Sequence, residues 1–153
     1  MLYQGHPILM ASKHQKEQVI APLVEQMLKA RLVVIDFDTD QFGTFTDEVP
    51  RAHSPLETCI LKAKTCAIEA QQPFAIASEG SFGPHPQIPF LPYAHEIMVF
   101  VDLARGLTIA ESLQTEETNY ASLDILASSD ISHFLKQVDF PKHKLCLQTK
   151  QGL

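Results

Sequence analysis

Phe74-Ala75-Ile76-Ala77-Ser78-Glu79-Gly80-Ser81-Phe82-Gly83-Pro84-His85-Pro86 is a short apolar run that ends in a carboxylate, two glycines, two prolines and a histidine. The run reads as a buried strand over 74–79. The glycine- and proline-rich part has the composition of a shaped, ligand-facing loop, extending through Pro89 and Pro92 to about Tyr93. The rest of the chain is expected to be arranged so that this loop is presented, at the carboxyl end of its strand.

The residues before it supply the other layers. Residues 7–12 (Pro-Ile-Leu-Met-Ala-Ser) read as a first strand. Val19, Ile20, Leu23, Val24, Met27 and Leu28 then form one wide apolar stripe at helical spacing, a helix of roughly four turns. Pro22 lies inside that stripe, so the helix either starts late or kinks there. Residues 32–35 (Leu-Val-Val-Ile) are apolar on both faces, as a central parallel strand should be. From Asp36 to His53 no periodicity survives, and a loop of that length is expected to be functional. Ser54-Pro55-Leu56-Glu57 is a helix start with an N-cap, a proline at the first position and a capping box. Leu56, Ile60, Ala63 and Ala67 read as that helix's buried face.

Beyond the loop, 96–103 and 107–114 read as a hairpin around Ala104-Arg105-Gly106. A helix then carries Ile131, Phe134, Leu135 and Val138, capped by Ser128 or Ser129, and 144–148 read as a closing strand. The expected fold is a single α/β domain over 1–153, with a central mixed sheet flanked by helices.

Bulk properties narrow the function. The chain has 153 residues, 45% hydrophobic and 20% charged, which suits one sizeable core. A net charge of -6 with no basic patch argues against a nucleic-acid polymer as partner. No apolar run reaches membrane-spanning length and no signal pattern opens the chain, so the expectation is a cytoplasmic protein without membrane contact. Cys59, Cys66 and Cys146 lack Cys-x-x-Cys spacing, and Cys59 and Cys66 read as reduced core thiols.

Four groups of residues carry chemistry. Ser12-Lys13-His14-Gln15-Lys16 stands at the start of the first helix, where two lysines oppose the helix dipole by roughly 0.3–1 kcal/mol each unless solvated or neutralised. An anion such as phosphate is the natural neutralising guest, so Ser12, Lys13, His14 and Lys16 are the phosphate-binding candidates. Glu79 at a strand's end reads either as a salt-bridge partner or, because Gly80 after it allows close backbone approach, as a ligand that would hold a hard divalent cation with Asp36, Asp38 or Asp40. Asp36-x-Asp38-x-Asp40 superficially resembles a calcium loop, but Gln41 stands where that loop needs glycine. His85, stiffly held between two prolines, reads as a loop histidine bonded to backbone or as a general acid or base.

Two family resemblances lie in these motifs. Ala11-Ser12-Lys13-His14, Phe37-Asp38-Thr39-Asp40 with Phe42-Gly43-Thr44-Phe45-Thr46, Ser54-Pro55-Leu56-Glu57-Thr58 and Ala77-Ser78-Glu79-Gly80-Ser81-Phe82-Gly83-Pro84-His85-Pro86 together resemble a bacterial domain family of unknown function. More distantly, Ser12, Glu57-Thr58 and Glu79-Gly80 are similar to motifs of the inosine-triphosphate pyrophosphatase-like enzymes, with His14 in place of an asparagine and Lys16 one residue early for a lysine. That second resemblance implies the pyrophosphatase-like α/β fold, a homodimer and magnesium as cofactor. It also implies a small phosphorylated ligand, hydrolysed at a phosphoanhydride bond or bound without turnover. In this reading Glu79, His85 and Glu57 are the catalytic candidates, with His85 or Glu57 orienting the water.

Overall fold

The structure, a computed structural model, describes residues 2–11, 16–35, 53–143 and 145–147. Along the chain run β1 (Pro7–Ala11), α1 (Glu17–Leu28), β2 (Arg31–Ile35), α2 (Pro55–Glu69), β3 (Phe74–Pro84), β4 (Pro92–Asp102), β5 (Leu107–Thr115) and α3 (Ser132–Gln137). The five strands form one open sheet in the order β2-β1-β3-β4-β5. β1 runs parallel to both β2 and β3. The connections from β3 to β4 and from β4 to β5 are too short for a crossover, so those pairs are antiparallel and the sheet is mixed. The α/β class and the mixed sheet are as expected from the sequence.

Contacts divide the chain into two compact units. The first comprises Met1–Gly80 and Glu96–Leu113, the second Ser81–His95 and Gln114–Leu153. In the first, side chains alternate along each strand, so the sheet builds one core on each face. On one face Leu9, Ala75, Ala77, Ile97, Val99 and Val101 pack on Cys59, Ala63, Cys66 and Ala67 of α2. On the other, Ile8, Met10, Phe74 and Ile76 pack on Ile20 and Val24 of α1. The small residues of α2 allow its close approach. α1 runs through Pro22. The interior proline costs about 3 kcal/mol, and burying Ile20 and Val24 contributes about 1.5–3 kcal/mol each, enough to offset it.

Several expectations are corrected. β2 is an edge strand, with Arg31 and Val34 exposed, because an apolar run reads alike at an edge covered by a helix and in the sheet centre. Val19, Leu23 and Met27 of α1 are exposed, since only the line of Ile20 and Val24 meets the sheet. Leu56 of α2 is exposed while Thr58 and Cys59 are buried, a rotation of the expected face. β3 runs on to Pro84 and β4 begins at Pro92, which shortens the expected loop to 85–91.

In the second unit, α3 starts at Ser132 with Ile131 as N-cap and no side-chain cap. Ser129 instead closes a turn on Leu126, its hydroxyl accepting the Leu126 N–H at 2.9 Å. Of the expected closing strand, residues 145–147 are not in a strand, and 144 and 148 lie outside the described residues. No helix among the described residues is long and apolar enough to cross a membrane.

Candidate functional site at the carboxyl end of strand β1

The register Leu9 to Ala75 and Met10 to Ile76, continued by one residue, sets Ala11 beside Ala77. β1 ends there. Glu79 and Gly80 therefore project past the end of β1, where β3 has lost its parallel neighbour. α1, which follows β1 in the chain, packs on one face of the sheet and α2, which precedes β3, on the other, so the strand order reverses between β1 and β3. That is where open α/β sheets form a ligand crevice.

Alternation decides what each residue faces. Ala75 and Ala77 face α2, so Glu79 does too, and it meets Lys62 of α2 in an ion pair. The two side chains are only 11% and 12% exposed. Gly80 faces the α1 side, and there Glu96 of β4 crosses it to reach Lys16 at 3.1 Å. That pair is more open, at 32% and 40% exposure. Lys16 is the N-cap residue of α1 and makes no side-chain cap. The charge that opposes the helix dipole is thus neutralised by a carboxylate of the protein, where the sequence suggested phosphate.

Cys59 senses this neighbourhood. Burial, first, and the charge of Glu79, second, push its thiol up to about 12 against the lowering effect of Lys62 and Lys16. Cys66 is pushed up to about 11, again chiefly by burial. Both thiols are free and buried, the inert core pair expected from sequence.

Glu57 completes the capping box. Its Oε2 accepts the Ser54 N–H at 2.9 Å and the Ser54 hydroxyl at 2.8 Å, and its own N–H donates to Ser54 Oγ at 3.3 Å. The Ser54 backbone N–H first, then its hydroxyl, hold the Glu57 carboxyl below the usual range.

His85 belongs to the second unit. Its Nδ1 accepts the N–H groups of Gln87 at 3.1 Å and Ile88 at 3.2 Å, so the neutral ring carries its proton on Nε2. The ring stands edge-on to Tyr93 at 5.2 Å. It lines a cavity of about 340 Å³ with Tyr93, Gln114, Thr115 and Glu116. Ser12, Lys13, His14, Asp36, Asp38 and Asp40 lie outside the described residues. Among those described, no group of three His, Cys, Asp or Glu is arranged to hold a metal ion.

Residues 62–153 match the model of a family described as a domain of unknown function, DUF6671. The chain belongs to this family. No curated protein matches it. The DUF6671 segment contains Lys62, Glu79, Gly80 and Glu96, and it begins part-way along α2, so Lys16, Glu57 and Thr58 precede it.

Lys62 and Glu96 are the members of the site that sequence reasoning missed. Lys62 sits in the small-residue face of α2, and a lysine among Cys59, Ala63 and Cys66 was the signal for a buried partner. Glu96 carried no signal, because its role comes from lying across Gly80.

Proposed function

We propose that the chain is a magnesium-dependent hydrolase of nucleoside triphosphates or related phosphoanhydrides, acting at the Lys16, Lys62, Glu79 and Glu96 site. The observation that carries this reading is the pair of lysine–carboxylate contacts flanking the open end of β1. Two ammonium groups and two carboxylates, one pair on each face of the sheet beside the end of β1, form a neutral set. A magnesium–phosphate chain is also a set of opposite charges, so the two can exchange partners without leaving a charge bare. Lys62 and Lys16, with Ser12, Lys13 and His14, would turn to phosphate oxygens. Glu79, with Asp38 or Asp40, would take magnesium, and hard carboxylate oxygens suit that ion. Magnesium would neutralise the phosphate chain and polarise the phosphorus. Glu57 would orient the attacking water through Oε1, the oxygen not engaged by the cap. The water would form the new P–O bond as the bridging P–O bond breaks, its proton going to the departing phosphate, whose charge the lysines would stabilise. The similarity of Glu57-Thr58 and Glu79-Gly80 to the inosine-triphosphate pyrophosphatase-like motifs points the same way, and it extends the proposal to that fold and to a homodimer.

The alternative is a module that binds the same ligand without turning it over. It is favoured by one observation: the four charges already satisfy one another inside the protein, with no three-residue metal set among the described residues.

A thermal-shift screen of nucleoside triphosphates with and without magnesium, followed by product detection, tests both. Binding at a hundredfold excess over Kd stabilises by roughly 2.7 kcal/mol. A magnesium-dependent shift with product that Glu79→Gln abolishes supports the hydrolase. A shift without product supports the binding module, and no shift with any triphosphate rejects both.

A further inference from the structure

Among the described residues, two buried side-chain polar atoms have no hydrogen-bond partner: Thr58 Oγ1 and Glu17 Oε2. Native proteins pair nearly all such atoms, so each exception calls for a cause. Both flank the lysines of the site. Glu17 follows Lys16 in the first turn of α1, and Thr58 precedes Lys62 by one turn on the same face of α2. Thr58 is 2% exposed. A buried helical threonine normally returns its hydroxyl proton to a carbonyl three or four residues back. Here Ser54 O, four residues back, accepts the Thr58 backbone N–H at 2.9 Å and has a lone pair to spare, yet the hydroxyl does not bond to it. The start of the helix is already capped by Ser54 and Glu57, so Thr58 is not needed there.

We infer that Thr58 is a ligand-binding residue of this site, its hydroxyl donating to a phosphate oxygen of the phosphoanhydride that Lys62 also holds. The inference rests on the reading given under Proposed function and adds a residue to it. One helical turn separates Thr58 from Lys62, so a neutral donor and a cationic donor stand in line along the sheet-facing side of α2. Two donors so placed suit two oxygens of one phosphate chain. Together they hold that chain on the α2 face, the side on which Glu79 lies.

The test compares wild type, Thr58→Val and Thr58→Ser, using magnesium tripolyphosphate as the probe, by calorimetric titration and by melting without ligand. Thr58→Val keeps the shape and removes the orphaned hydroxyl. Its melting temperature without ligand should equal or exceed that of wild type, while affinity for the probe falls about tenfold, the size of one hydrogen bond. Thr58→Ser should bind within about threefold of wild type, because it keeps the hydroxyl. If Thr58→Val does not fold, Thr58→Ala supplies the comparison without a hydroxyl. Wild-type affinity in the variant lacking the hydroxyl overturns the role of Thr58 and leaves the phosphoanhydride reading standing. A wild type that binds no tripolyphosphate and no triphosphate overturns both.

Discussion

Glu96 lies so close over Gly80 that a β-carbon at position 80 would stand 2.5 Å from Glu96 Oε1 and 2.9 Å from its Cδ. Glycine here is a matter of space, since any side chain must displace a carboxylate that Lys16 holds. Gly80→Ala is therefore expected to break the Lys16–Glu96 pair. The loss should stay within about 1 kcal/mol, because a pair this open contributes little. In a Glu96→Ala background the same substitution should cost nothing further. A double-mutant cycle by urea denaturation measures this, and equal costs in both backgrounds would contradict the contact.

Lys62→Met leaves the Glu79 carboxylate nearly buried without its partner. Removing one half of such a pair typically costs about 3–5 kcal/mol. Lys62→Met combined with Glu79→Leu should recover most of that loss, because no charge remains uncompensated. Melting curves of the single and double variants decide the matter. A single variant as stable as wild type would mean the pair carries no stability.

Asp102 predicts the response to acid. It is fully buried at the end of β4, where its carboxylate accepts the Arg105 N–H at 3.0 Å, the Arg105 guanidinium at 2.8 Å and the Tyr3 hydroxyl at 3.3 Å. Burial acts to raise its pKa, but the Arg105 side-chain and backbone hydrogen bonds, the Arg105 charge and the Tyr3 hydroxyl together hold it below 3.8. A lowered folded-state pKa means the unfolded chain binds the proton more readily. This contribution is complete above about pH 4 and is lost as pH falls through the folded value. Asp102→Asn should lower stability at neutral pH by about 1–3 kcal/mol and flatten the acid limb of the stability–pH curve. An acid limb unchanged in the variant would assign it to other carboxylates.

The cysteines should separate by reactivity. Cys59 and Cys66 are buried with thiols pushed up to about 12 and about 11, whereas Cys146 is exposed. Iodoacetamide at pH 8 should add one group to the native protein and three after denaturation, counted by mass spectrometry. Native modification of Cys59 would show that α2 opens readily.

Glu57→Gln distinguishes a cap from a reacting group. Glutamine is the other residue that closes a capping box, so the helix should keep its stability. Glu57→Ala removes one half of the box and should lower the melting temperature. Under the hydrolase reading both variants lose turnover. Full turnover by a stable Glu57→Gln protein would confine Glu57 to its structural role.

Local order was legible in the sequence wherever the interactions that create it are local. Ser54-Pro55-Leu56-Glu57 specifies the start of α2 because both capping-box bonds join residues three apart. The run 74–77 reads as a strand, and Ala104-Arg105-Gly106 as a turn, because propensity and backbone freedom act within a few residues. Gly106 takes a φ of +64°, as that turn requires. Glu79 was expected at the end of its own strand, but β3 runs on to Pro84, and it is the register with β1, a long-range relation, that sets Glu79 beside a strand end.

The tertiary structure alone decided which charges meet. Lys62 and Glu79 are 17 residues apart, and Lys16 and Glu96 are 80 apart. Nothing in their local context selects one partner over another. Selection comes from the strand order, which sets β3 between β1 and β4, and from the pleat, which sends Glu79 to the α2 face and leaves Gly80 bare for Glu96 to cross. Edge and centre were likewise invisible for β2, since a helix on one face of an edge strand demands the same apolar residues as a neighbouring strand. A charged side chain is placed by what it is packed against, and packing partners distant in sequence exist only once the sheet has formed.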